Sequence, residues 1–214
     1  VEPGNIKTGG IPMKTYRKSL LCLLLALTLL VMTACSGGGE EKEEEVLLPI
    51  QVNGMEIKVG ETTVQALLDQ GIDVYWVNDD YEQVVVDPSQ ELEANAYYSG
   101  GAISISDDIF AQISFVTEEE AVPMGQAVIA RLEFHMFGEE DPAVLEGIQF
   151  DGVPVAELTR DKAGEKYPDW TGDENMWLKY GLEYQYSLFF DSSSQRLTQF
   201  TVEREYDVDW TGKD

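Results

Sequence analysis

The sequence predicts an α+β fold, mainly antiparallel sheet with one or two short helices. It is open to division into two tandem helix-plus-sheet lobes, placed after a helical leading segment. Three observations carry this expectation. Period-two alternation of apolar and polar residues recurs through most of the chain, as half-buried strands require. One stretch, Thr62 to Gly71, has the start, apolar face and stop of a short helix. A hairpin pattern near residue 50 returns near residue 150, with Ile, Gln and Gly at matching positions and Asn53 answered by Asp151.

The folded region is expected to begin near Val46. Ile50 to Ile57 reads as a tight hairpin, because Asn53-Gly54 supplies the two positive-φ residues of a type I′ turn. Thr62 is the expected cap of the helix, with Gln65 completing a capping box; Val64, Leu67 and Leu68 share its face and Gly71 ends it. Tyr75-Trp76-Val77 and Val84-Val85-Val86 read as strands flanking a turn at Asn78-Asp79-Asp80. Leu92, Ala94, Ala96 and Tyr98 alternate, as do Ile103 and Ile105, with Ser99-Gly100-Gly101 read as a break between them. Ile109 to Phe115 forms another strand. Leu132, Phe134 and Met136 then alternate with Arg131, Glu133 and His135. Glu139-Glu140-Asp141-Pro142 reads as a lobe boundary, which puts the first lobe at 47–140 and the second at 141–214. The second opens with the hairpin Ile148 to Val155 and a helical candidate over Ala156–Lys166. It ends in a long hairpin, with Leu182, Tyr184, Tyr186, Leu188 and Phe190 on one face and Phe200 and Val202 on the return strand.

The leading segment carries a different signal. Lys14, Arg17 and Lys18 precede an apolar run from Leu20 to Val31, then Met32-Thr33-Ala34-Cys35 and a glycine and glutamate tract. The apolar core is about a dozen residues, where a spanning helix needs about twenty. A basic region, a short apolar core and small residues before a cut site mark a secretory signal. Residues 13–34 with Cys35 resemble a bacterial lipoprotein signal peptide ending in a lipobox, with Met32 where that family usually has leucine. The resemblance implies lipid on Cys35 and a cell-membrane location facing the extracytoplasmic side. Residues 1–12 read as a start-site extension. Residues 35–46 read as an acidic, glycine-rich tether, since Ser36 to Glu45 has no apolar residue to bury. The stretch Gly60-Glu61-Thr62-Thr63-Val64 with Leu67-Leu68 resembles the Gly-x-Thr helix start of secreted β-lactamase-inhibitor-like domains and small outer-membrane assembly lipoproteins. Those modules follow the helix with Gly-x-Pro, where this chain has Gly71-Ile72-Asp73. The overall pattern is also similar to lipoproteins of Gram-positive bacteria.

Charge narrows the function classes. The 214 residues hold 14 basic and 40 acidic side chains, for a net charge of −26. Residues 1–34 contain Lys7, Lys14, Arg17 and Lys18 against Glu2, so the part from Cys35 onward has 10 basic and 39 acidic groups and a net charge of −29. Nucleic acid and anionic headgroups need a basic footprint and are excluded as partners on this ground. A basic partner or cations fit the balance. Cys22 and Cys35 both lie in the leading segment, which leaves no thiolate for a metal site or a disulfide beyond it.

Chemistry-bearing patterns are sparse. There is no Gly-x-Ser-x-Gly turn and no phosphate loop, and His135 is the one histidine. No catalytic residue is assigned. Asp169, Asp173 and Asn175 offer hard oxygen donors around Gly172 and form a candidate calcium loop, although the spacing is not that of an EF-hand. Trp170, Trp177 and Trp210 lie in or beside predicted loops and are the candidate partner or ligand surface, because aromatics bring contact area at low entropic cost. The expected function is a non-enzymatic, lipid-anchored protein recognising an envelope protein or wall glycan. The alternatives are a small-ligand or calcium-binding lipoprotein and, behind it, a carboxylate-dependent glycosidase, which needs two carboxyls at a set separation.

Overall fold

The computed structural model describes residue 45 and residues 47–78, 81–107, 109–138 and 140–210. The segment expected to be a signal peptide, Cys35 and most of the expected tether lie outside the described residues.

Two hairpins build a small sheet. Strands β1 (Ile50–Val52) and β2 (Met55–Ile57) turn at Asn53-Gly54, and β10 (Ile148–Phe150) and β11 (Val153–Pro154) turn at Asp151-Gly152. Both turns have positive φ at both central residues: 50° and 85° in the first, 47° and 74° in the second. This is the type I′ geometry that Asn-Gly and Asp-Gly favour. The hairpins then join along β1 and β10, with Ile50 opposite Phe150 and Val52 opposite Ile148, to give the order β11-β10-β1-β2.

Ten further strands form one large sheet. They are β3 (Val74–Val77), β4 (Gln83–Val85), β6 (Ala96–Ser106), β7 (Ile109–Thr117), β9 (Val128–His135), β12 (Thr171–Gly172), β13 (Met176–Tyr180), β14 (Tyr184–Phe190), β15 (Leu197–Arg204) and β16 (Asp209–Trp210). The order is β12-β13-β14-β15-β9-β7-β6-β3-β4, with β16 parallel to the start of β6. Short strands β5 (Glu91–Leu92) and β8 (Val122–Pro123) pair separately.

This architecture corrects the expected α+β class with two tandem lobes. The fold is mostly antiparallel β, and its helices α1 (Val64–Asp69), α2 (Pro142–Glu146) and α3 (Arg160–Lys166) have 6, 5 and 7 residues. Both sheets draw strands from either side of residue 140: β9 pairs with β15, and β1 with β10. The physical reason is that a two-stranded hairpin is barely stable alone, so the two hairpins complete each other. The leading helical segment of that expectation lies outside the described residues.

The small sheet and the helices pack on one face of the large sheet. Phe150 meets Phe200 at 5.6 Å and Tyr186 at 6.4 Å between ring centroids, and Trp170 meets Tyr186 at 5.6 Å. Val64, Leu67, Ile103, Phe115, Leu132, Phe134, Leu188 and Val202 are fully buried in the same core. Each such side chain contributes about 1.5–3 kcal/mol by leaving water. The period-two pattern leaves the alternate residues of these strands on the opposite face.

Local details differ from the sequence reading at three places. Thr63, not Thr62, caps α1, accepting from the Ala66 N–H at 3.2 Å; Thr62 Oγ1 instead accepts from the Lys58 N–H at 2.9 Å. Ser99-Gly100-Gly101 does not break the strand. It forms a bulge inside β6, with a register shift between Tyr98 and Gly101 and φ of +87° at Gly100. Leu182 lies in the turn before β14, 79% exposed, so the buried face of β14 begins at Tyr184.

Candidate functional site

The second face of the large sheet is the candidate site. Its centre is the row Arg131, Glu133 and His135 on β9. The backbone register puts Thr201 and Gln112 on either side of Glu133, Glu203 and Ser114 beside Arg131, and Gln199 beside His135. All have the opposite parity to the core residues Leu132 and Phe134.

Glu133 is the hub. Arg131 Nη2 donates to its Oε2 and His135 Nε2 donates to its Oε1; the ring nitrogen must be the donor because an ionised carboxylate only accepts. Thr201 Oγ1 adds a third donor at 3.2 Å. The residue is buried, 8% exposed. Burial alone pushes its carboxyl up, but the His135 hydrogen bond and the charges of Arg131 and His135 outweigh this and hold it below the ordinary value. Glu133 is therefore a fixed anion at neutral pH. Arg131 also reaches Glu203, Nε to Oε2 at 3.6 Å, and the Tyr97 hydroxyl donates to Glu203 Oε1 at 3.4 Å. Burial, with the Glu203 charge nearby, pushes the Tyr97 hydroxyl up despite its hydrogen bond with Ser114.

Polar Gln112, Ser114, Gln185, Ser187 and Gln199 surround this charged centre, and apolar side chains enter the face farther out. Tyr206 and Val208 pack over Tyr97, Val116 and Ala130 at one end. Toward β4 the face shows Phe110, Tyr75 and Val85, with Tyr75 and Phe110 edge to face at 5.8 Å. Toward β13 it shows Leu178 and the exposed Tyr180. Chemically, the arrangement is a broad surface with a satisfied ionic cluster at its middle, and it suits contact with another molecule.

Of the tryptophans predicted as one surface, Trp170 and Trp177 both meet Tyr167, while the strand that carries Trp210 lies apart from them. Trp170 is buried and stacks on Tyr167 at 4.4 Å, where burial and the Asp151 carboxylate together push the Tyr167 hydroxyl up. Trp177 is half-buried on the core side of β13; its Nε1 donates to the Tyr167 carbonyl at 3.1 Å and the Arg160 guanidinium lies 3.7 Å above its ring. The backbone of Trp210 pairs beside Tyr97 on β6. β13 and β6 are five strands apart, about 24 Å.

The predicted calcium loop is organised by hydrogen bonds. Asp173 Oδ1 accepts from the N–H groups of Asn175 at 2.8 Å and Met176 at 3.0 Å, and Asp173 donates its own N–H to the Met176 carbonyl. Asp169 is exposed. Among the described residues no group of three or more His, Cys, Asp or Glu side chains converges to hold a metal ion.

Sequence reasoning placed His135 on a solvent face but missed Glu133 as the organising group. The signal was present in the alternation Arg131-Leu132-Glu133-Phe134-His135. The partner Thr201 on another strand was not readable from it.

A cleft of about 450 Å³ lies beside the loop that follows β9, walled by Met136, Pro142, Leu145, Val155 and Leu197, with Arg196 among its lining residues. Asp191, in the same lining, is held down to about 2 by hydrogen bonds from Ser193 and Ser194. No helix among the described residues is long and apolar enough to cross a membrane. No family model, no curated protein and no solved structure matches the chain.

Proposed function

We propose that the protein is a lipid-anchored, non-enzymatic binding protein of the cell envelope. Lipid on Cys35 holds it to the extracytoplasmic side of the membrane, residues 36–45 act as an acidic spacer, and the β domain recognises a protein or wall component. The single observation that supports recognition is the broad second face of the large sheet, where an ionic cluster sits at the centre and exposed Tyr180, Val85 and Phe110 lie toward the edges. A general acid needs a proton to give at working pH, whereas Glu133 is held ionised with three donors in place. That state argues against Glu133 as a general acid.

The test is in-cell crosslinking from the second face followed by recovery from the envelope. One stoichiometric protein or wall fragment is the expected product. Hydrolysis of wall material that disappears when carboxylates are replaced would overturn the reading. Anchoring is checked separately: Cys35→Ser abolishes lipid labelling, and labelling that persists refutes the lipobox.

A further inference from the structure

We propose that β4 is a docking edge that takes an extended, lysine- or arginine-bearing apolar segment of a partner protein as an added strand. This rests on the binding-protein reading above and names the partner class and its point of attachment.

Three observations converge on that edge. The first is backbone geometry. β4 ends the ten-stranded sheet, and only β3 pairs with it among the described residues. Val86 N–H bonds to the Val74 carbonyl at 3.0 Å, and Asn78 N–H to the Glu82 carbonyl at 3.0 Å. By the alternation of an antiparallel ladder, residues 82, 84 and 86 face β3, so Gln83 and Val85 point their N–H and C=O groups away from the sheet. Protein edges are commonly guarded by shortness, charge, proline or a bulge; β4 is short and flanked by Glu82 and Asp87, but Gln83-Val84-Val85 itself carries no charge, proline or bulge.

The second observation is side-chain exposure. Val85 is 60% exposed, Tyr81 88%, Phe110 41% and Val77 38%. Val77 and Val85 share the parity of Tyr75 on the second sheet face. They give an incoming strand apolar pockets for alternate side chains, as strand addition requires.

The third is charge. From Val59 to Ala130 the sequence has no lysine, arginine or histidine and fourteen aspartates and glutamates. That span supplies all of β3 to β8, so these strands carry no cation of their own. Glu82 immediately precedes β4 and Asp87 lies two residues after it. The surplus repels a second copy of the chain and attracts a cationic segment. Alternate residues of an added strand would set apolar groups on the Val77 and Val85 side and cations toward the acidic surroundings.

The test uses the purified full chain and a nine-residue peptide of alternating valine and lysine. Control peptides replace lysine with glutamate, or replace two central residues with proline. The expected result is saturable binding of the valine–lysine peptide, weakened by salt, with neither control binding. Val85→Pro removes an outward N–H while leaving the bonds to β3 intact, and proline is tolerated on such an edge. It is expected to weaken binding by about tenfold or more while leaving the melting temperature nearly unchanged. Val85→Lys weakens it likewise. Equal affinity for the proline peptide, an unchanged affinity in both variants, or self-association of the chain through β4 would overturn the proposal. In cells, a photo-crosslinker at position 83 should capture the partner. Capture only from position 133 would sink the edge proposal and leave the binding-protein reading standing. Capture from neither position, with wall hydrolysis present, would sink both.

Discussion

The carboxylate of Glu45 occupies the space where a side chain on Gly181 would stand. It accepts from the N–H groups of Glu183 at 2.9 Å and Tyr184 at 3.4 Å, with the Lys179 ammonium 3.7 Å away. The turn between β13 and β14 is thus shaped to receive Glu45. Leu48 continues the attachment, donating its N–H to the Tyr186 hydroxyl at 3.1 Å. Burial, modified by that bond, pushes the Tyr186 hydroxyl up to about 12.

Gly181→Ala should therefore expel the Glu45 carboxylate and cost about 1.5–3 kcal/mol, the net value of hydrogen bonds to a charged acceptor. Glu45→Ala should cost a similar amount. The two changes share one interaction, so the double variant should be scarcely worse than either single one. Urea unfolding midpoints of the four proteins check this. Additive losses would mean that the two residues act separately.

Glu133 predicts a pH signature. Its folded pKa lies below the ordinary 4.5, so its ionised form adds stability that is present above pH 4.5 and is lost as pH falls through the folded value. Glu133→Gln keeps the shape but not the charge. It should cost about 1–2 kcal/mol at pH 7, and the gap to the parent should close as pH falls toward 3. Unfolding free energies at several pH values test the sign. A gap that widens in acid would contradict the ionised cluster.

The tryptophans separate by packing. Trp170 is buried among Phe150, Tyr167 and Tyr186, so Trp170→Ala should cost about 3–5 kcal/mol as a large cavity forms. Trp177→Ala loses the Arg160 contact and one hydrogen bond. About 1–2 kcal/mol is expected there. Chemical denaturation of both variants distinguishes them, and equal losses would place Trp177 in the core as well.

Much of the strand pattern was legible because alternation reports a half-buried face whatever the topology. Leu132 and Phe134 point to the core and Glu133 and His135 away from it, as their spacing requires. Asn53-Gly54 and Asp151-Gly152 were legible because their positive φ is a local demand. The helix cap slipped by one residue because Thr62 and Thr63 are adjacent hydroxyls and only the surrounding backbone decides which one caps. Leu182 continued the alternation of β14 but falls in the turn before it, which the Gly181 N–H closes on the Tyr184 carbonyl at 2.8 Å, a bond that apolar spacing does not specify. The union of the two hairpins and the hydrogen bond from Thr201 to Glu133 were not legible at all. Both depend on strands far apart in sequence, and periodicity does not specify which strands meet.

The shared sheets make a last prediction about division of the chain. A protein ending at residue 140 would retain β1 without β10 and β9 without β15. It would expose Ile50, Leu132 and Phe134, which are fully buried in the whole chain, and leave two unpaired edges at the centre of the fold. Such a fragment should lack cooperative unfolding and should aggregate. Residues 141–214 alone should behave likewise, since β10 loses β1 and β15 loses β9. Mixed or co-expressed, the two pieces should restore a single cooperative transition, because the seams between them are continuous strand pairings with apolar backing. Circular dichroism melts of each piece and of the mixture test this, and a fragment that melts cooperatively alone would show that one set of strands closes its own core.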